Sequence, residues 1–155
     1  MTDIEISLHI DASPSTVFRY FVDPKRMREW MGIAVDLDPR PGGVYRVEVV
    51  DGQIVVGSFL EVVPDERVVF SFGWEGNDGV PPASTTVEIV LSRHGDGTVV
   101  RLRHLGLPDE DAGRQHGQGW EHYGARLAIV ATGGDPGPVY PSDRPESGTS
   151  STTGG

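Results

Sequence analysis

The residues of this chain whose types and spacing could do chemistry are mostly aromatic or histidine. Trp120, Tyr123, Leu127 and Val130 recur at helical spacing, the stripe that one face of an α-helix presents. Val68, Phe70, Phe72 and Trp74 alternate, as do Val100, Leu102 and His104, so each set shares one face of a strand. If these faces meet, they enclose an apolar pocket lined by Trp30, Phe70, Phe72, Trp74, Leu102, His104, Trp120, Tyr123 and Leu127. The plainer alternative for any one of them is simple core, because apolar faces are core far more often than ligand sites. His104 could orient a ligand or move a proton; a hydrogen-bonded core histidine is the commoner outcome. Tyr123 carries a polar tip that can bond a ligand oxygen or a neighbouring backbone group. Arg101 and Arg103 alternate with the His104 face and are expected in solvent.

Other chemistries find no support. His116 and His122 are six apart and share no helix face, so two-histidine metal spacing is missing. His9 and His94 read as surface residues. Gly42 and Gly43 follow Pro41 and precede a strand, which is not a phosphate-binding loop. No nucleophile elbow is present, and with no cysteine there is no thiolate site or disulfide. No catalytic residue, metal or cofactor is assigned.

The 155 residues fit one domain. With 37% hydrophobic and 23% charged residues, a globular chain able to bury a core is expected. A net charge of −10 disfavours nucleic acid and anionic membrane surfaces as partners. The start Met1-Thr2-Asp3-Ile4-Glu5 has no basic or apolar run, so no secretory signal is read there. No apolar run approaches the ~20 residues of a membrane span. A cytoplasmic setting, a small apolar molecule as partner and an open question of homodimer formation are the expectations.

These side chains need elements to position them. Ile4, Ile6, Leu8 and Ile10 alternate in a half-buried strand. Ser13-Pro14 opens a short helix to Phe21 with Val17, Phe18 and Phe21 on one face. Asp23-Pro24 opens a second, carrying Met27, Trp30 and Met31 and stopped by Gly32. Asp36 to Gly43 reads as a loop. Strands are expected over 44–50, 53–63, 67–74, 84–92 and 98–105, with a tight turn at Asp51-Gly52. Short turns imply an antiparallel meander. A last helix runs from about Pro108 to Thr132, with acidic residues in its first turn to suit the dipole. Gly113, Gly117, Gly119 and Gly124 each cost it about 1 kcal/mol relative to alanine, so packing on the sheet must hold it. Gly113, Gly117 and Gly124 lie along one strip; glycines there either leave space or let backbones approach. From Gly133 the chain is rich in Gly, Pro, Ser and Thr, and residues 133–155 read as a disordered tail.

An α+β domain over residues 1–132 emerges, and its ordered segments carry a resemblance. Thr16-Val17-Phe18, Asp23-Pro24, Trp30, Asp38-Pro39-Arg40-Pro41-Gly42-Gly43, Gly57-Ser58-Phe59-Leu60-Glu61-Val62-Val63-Pro64, Val68-Val69-Phe70 and Gly119-Trp120-Glu121 with Leu127 resemble the SRPBCC (START-like) superfamily. The nearest group is the family similar to the C-terminal domain of the activator of the 90-kDa heat-shock-protein ATPase. The resemblance implies the helix-grip fold: a curved antiparallel sheet wrapped around a long C-terminal helix, two short helices after the first strand, and a cavity between sheet and helix. It also implies binding of hydrophobic small molecules, cyclase- or hydrolase-type chemistry on polyketide-like substrates, or chaperone modulation. A hydrophobic-ligand binder is the leading expectation. An enzyme using His104 and Tyr123 is the alternative, and a chaperone-modulating interaction protein the third. An Asn-rich, Trp-His-Trp-like segment of the kind that stimulates the ATPase is not seen in this chain.

Overall fold

The computed structural model describes residues 1–137. The elements are β1 (Thr2–Ile10), α1 (Pro14–Val22), α2 (Pro24–Met27), β2 (Ala34–Leu37), β3 (Val44–Val50), β4 (Gln53–Val63), β5 (Arg67–Phe72), β6 (Thr85–His94), β7 (Gly97–Leu107) and α3 (Glu110–Ala131). All strands pair antiparallel in one sheet of order β1-β7-β6-β5-β4-β3-β2. This is the helix-grip architecture. The expected disordered tail falls, from residue 138 onward, outside the described residues. Among the described residues no helix is long and apolar enough to cross a membrane.

Local chemistry accounts for the element ends. The Ser13 hydroxyl accepts from the Thr16 amide at 3.3 Å, and the Asp109 carboxylate from that of Ala112 at 2.8 Å, so α1 and α3 each begin on a side-chain cap. Gly52 turns the β3–β4 hairpin at a φ of +80°, a backbone region that side chains resist. Two elements depart from the sequence expectation: α2 ends at Met27, so Trp30 and Met31 follow it in a turn instead of lying on the helix, and β2 forms where a loop was expected. Asp36 and Leu37 belong to a four-residue edge strand, β2, paired with Tyr45 to Glu48 of β3. It is too short and too close to the Pro-Gly loop to show its own period.

The sheet bends between its two halves. A Cβ on Gly57 would lie 1.8 Å from the Ser71 carbonyl oxygen, so only glycine lets β4 approach β5 there. A register shift between Phe59 and Glu61 adds the extra curvature of a bulge. The concave face holds the core. Tyr45 stacks on Phe70 with centroids 3.9 Å apart, and Phe21 meets Trp30 edge-on at 5.5 Å. The convex face carries an ionic ladder across five strands: Arg101 and Arg103 reach Glu5, Arg103 reaches Glu88, and Arg67 reaches Glu88 and Glu61. Exposed pairs of this kind contribute little each.

Helix α3 lies against β1. Cβ atoms on Gly113 and Gly124 would sit 2.8 Å from Thr2 Cγ2 and 3.3 Å from Leu8 Cδ2, and one on Gly117 3.6 Å from Ile4 Cδ1. These glycines let α3 approach β1 closely, and Gly124 also borders a hollow of about 460 Å³ beside Ser7 and Leu8. Gly119, on another face, would meet nothing within 4 Å.

Candidate functional site

The apolar space left by the fold lies on the far side of α3 from β1; a more polar hollow of about 460 Å³ lies on the β1 side, bordered by Glu5, Ser7, Leu8, Glu121, Gly124 and Ala128. A cavity of about 300 Å³ sits between the ends of β3, β4 and β5 and the first half of α3, at the lower limit of small-molecule sites. Its floor is apolar and buried: Met31, Val49, Val55, Phe72 and Trp120. Half-buried Trp74, His116, Gly119 and Tyr123 form the wall, and exposed Gln53, Asn77 and Gln115 the rim.

The nine residues expected from the sequence divide between this cavity and the core. Phe72, Trp74, Trp120 and Tyr123 line the cavity. Trp30, Phe70, Leu102, His104 and Leu127 are each under 5% exposed and pack within the core.

His104 shows why a polar group can sit so deep. Its Nδ1 lies 3.0 Å from Trp120 Nε1, and its Nε2 lies 2.8 Å from Thr85 Oγ1. An indole nitrogen can only donate, so Nδ1 accepts and Nε2 carries the hydrogen. The Thr85 hydroxyl takes that hydrogen bond and donates its own at 2.7 Å to the Phe72 carbonyl. Every member of the chain is satisfied, as buried polar groups require. Burial, with a smaller contribution from nearby His116, pulls the His104 pKa down to about 3. The ring stays neutral, and both nitrogens are engaged.

A second tryptophan–histidine pair stands at the cavity wall. Trp74 Nε1 donates to His116 Nε2 at 3.0 Å, and His116 Nδ1 donates to the Ala112 carbonyl at 2.7 Å. The tautomer is the opposite of that in His104. Trp74 is placed by a bridge to Val55 and by its own amide, which donates to the Val80 carbonyl at 2.8 Å. The loop that follows is tied down at Asn77, whose Oδ1 accepts from the Gly79 and Val80 amides at 2.7 and 3.0 Å. The sequence reading missed His116 because it was weighed only with His122 as a metal pair. The signal was available: His116, Trp120, Tyr123 and Leu127 share one helical stripe.

Tyr123 faces the cavity from α3. Burial raises its hydroxyl above the usual tyrosine range, opposed in part by the charge of Arg126, so it is present as a neutral O–H. Arg126 itself is buried; it donates from Nε to the Trp30 carbonyl at 3.0 Å and from its terminal nitrogens to the carbonyls of Pro136 and Gly137 at 3.0 and 2.9 Å. That side chain joins the α2 region, the helix and the chain beyond it. Among the described residues no group of three or more His, Asp or Glu side chains is arranged to hold a metal ion.

The family described as Activator of Hsp90 ATPase homolog 1-like protein matches residues 11–132. The chain belongs to this family. An AHSA1-like protein from Rhizobium etli is 42% identical, with 97% of this chain and 91% of that one covered and a TM-score of 0.73. CalU16 from Micromonospora echinospora is 30% identical over 88% of this chain and 77% of its own, with a TM-score of 0.72. The Aha1 dimer from Colwellia psychrerythraea, 16% identical over 86% of this chain and 98% of its own, shares the fold with a TM-score of 0.77. No curated protein matches the chain. As an AHSA1-like domain the chain has the helix-grip fold expected from its sequence; what the cavity holds is a separate question.

Proposed function

We propose that this AHSA1-like chain binds a small apolar or aromatic molecule in the cavity between the sheet and α3. One observation carries this: an apolar floor of Phe72, Val55, Val49 and Trp120 continues to a half-buried wall of Trp74 and Tyr123 around about 300 Å³ of free space. Burying an apolar ring there gains roughly 25 cal/mol per Å² removed from water. A cytoplasmic setting is part of the same proposal, and a chain without cysteine is compatible with a reducing compartment.

The enzymatic alternative loses its main support at His104. A general base needs a free nitrogen within reach of substrate, and both of its nitrogens are bonded within the core. Native mass spectrometry of protein purified from its source tests the binding proposal, with a co-purifying organic molecule expected at near-stoichiometric occupancy. Protein that arrives empty and also fails to bind neutral aromatic probes would overturn it.

A further inference from the structure

The walls of the cavity say something about the charge of its occupant. Its polar members are Gln53, Asn77, Gln115, His116 and Tyr123, and none is an Asp, Glu, Lys or Arg. The guanidinium groups nearby are committed elsewhere: Arg46 pairs with Glu75 at 3.0 Å, and Arg126 is spent on backbone carbonyls. Neither nitrogen of His116 is free to meet a ligand, because Nε2 accepts from Trp74 and Nδ1 donates to Ala112. An anion entering the cavity would lose water and find no charged group in the lining to pair with, only the more distant field of Arg126, which is a costly case for a buried ion. The net charge of −10 on the chain repels anions at longer range.

Gln115 spends its amino group on Asp111 at 3.5 Å and so offers an acceptor at the rim, while two other polar groups of the lining can donate to a ligand. Asn77 spends its oxygen on two loop amides, which turns its amino group to other partners. Tyr123 remains protonated, and its hydroxyl makes no hydrogen bond to another described residue. We propose that the cavity selects an uncharged aromatic ligand that presents a hydrogen-bond acceptor, such as a carbonyl oxygen, to Tyr123, and discriminates against anionic analogues of the same size. This rests on the proposed binding function and adds the charge and polarity of the ligand.

Three fluorescent naphthalenes test it by titration of the full chain. N-phenyl-1-naphthylamine is neutral. 8-Anilinonaphthalene-1-sulfonate is the same ring system with a sulfonate. 6-Propionyl-2-(dimethylamino)naphthalene is neutral and carries a ketone. The neutral anilino probe is expected to bind at least about tenfold more tightly than its sulfonate, since tenfold needs only about 1.4 kcal/mol and an unpaired buried charge costs more. Gln53→Arg, at the exposed rim, is expected to narrow that gap severalfold by supplying a counter-charge. Tyr123→Phe is expected to weaken the ketone probe about fivefold and leave the anilino probe unchanged. Equal or tighter binding of the sulfonate would overturn the charge selection while leaving ligand binding intact. Equal losses for both neutral probes in Tyr123→Phe, or no loss for either, would overturn the donor role of Tyr123. No binding of any probe would remove the binding function itself, and this inference with it.

Discussion

The molecule uses the same pair of side chains twice, at two depths. Trp120 and His104 meet inside the core, where His104 is fully shielded. Trp74 and His116 meet at the cavity wall, half-exposed. In both, an indole N–H donates to an imidazole nitrogen at 3.0 Å, and in both the other nitrogen finds an oxygen. The surroundings give the two pairs different work. The inner pair continues through Thr85 to the Phe72 carbonyl and locks α3 to three strands of the sheet. The outer pair ties the end of β5 to the first turns of α3 and leaves one flank of each ring facing free space. A hydrogen bond between the same groups is structural where every neighbour is protein, and becomes part of a site where one neighbour is missing.

Removing the inner histidine is the most severe way to probe that contrast. His104→Ala leaves the Trp120 N–H and the Thr85 hydroxyl without their partner and opens a void. We expect a loss of about 4 kcal/mol in urea denaturation, from cavity and unsatisfied-donor costs together. His116→Ala is expected to lose about 1 kcal/mol or less, because water replaces its bonds at the surface. Similar losses for the two variants would show that depth is not what separates the pairs.

Acid weakens the contribution of the inner pair without a mutation. The folded pKa of His104 is about 3, below the ~6.5 of an unfolded histidine. A depressed histidine contributes stability that is fully present above about pH 6.5 and is lost as pH falls toward the folded value, since only the unfolded chain takes up the proton in that window. Between pH 6.5 and 4 the contribution of this group falls by about 3 kcal/mol, at about 1.4 kcal/mol per pH unit. His104→Gln should show a shallower decline over the same range. In nuclear magnetic resonance, the His104 ring should keep its Nε2–H tautomer down to pH 4. A ring that titrates near pH 6 would contradict the bonded arrangement.

The tryptophans allow a gentler comparison. Trp120→Phe removes the one hydrogen-bond donor to a buried nitrogen and should destabilise by about 2 kcal/mol. Trp74→Phe should change stability by about 0.5 kcal/mol or less and weaken binding of neutral aromatic probes severalfold. If Trp74→Phe left probe affinity untouched while Trp120→Phe abolished it, the ligand would rest on the Trp120 floor and not against the Trp74 wall.

How much of this was legible in the sequence follows from the same difference in depth. The strands announce themselves by alternation: Ile4 to Ile10, Val68 to Trp74 and Val100 to His104 each place one apolar face. The caps at Ser13 and Asp23 and the turn at Asp51-Gly52 carry their own chemistry. Helix α3 was legible as a stripe despite four glycines. What did not show was whatever depends on partners distant in sequence. Strand β2 exists because β3 is there to pair with it. Periodicity puts His104 and Trp120 on apolar faces and cannot say that they bond each other. It groups Phe70 with Phe72, although the bend at Gly57 leaves only Phe72 against free space. The glycine strip has the same origin. Its spacing is plain, but whether Gly113 and Gly124 face a void or a strand depends on where β1 runs, and β1 runs directly beneath them.

Those glycines supply the smallest predicted effect. Gly119→Ala adds a methyl group where nothing lies within 4 Å, so the helix gains propensity without a clash and should be stabilised by roughly 0.5–1 kcal/mol. The new methyl also projects beside the cavity, and should reduce affinity for the larger neutral probes by about twofold. Gly113→Ala makes the same gain in propensity but brings its Cβ to 2.8 Å from Thr2 Cγ2, a contact that forces β1 and α3 apart and offsets the gain. Thermal melts of the two variants should therefore move in opposite directions, with Gly119→Ala raising Tm by a few degrees and Gly113→Ala leaving it unchanged or lower. If Gly113→Ala were the more stable of the two, the helix would not be held against β1 at that point, and the free space would belong under the glycine strip as its spacing alone allowed.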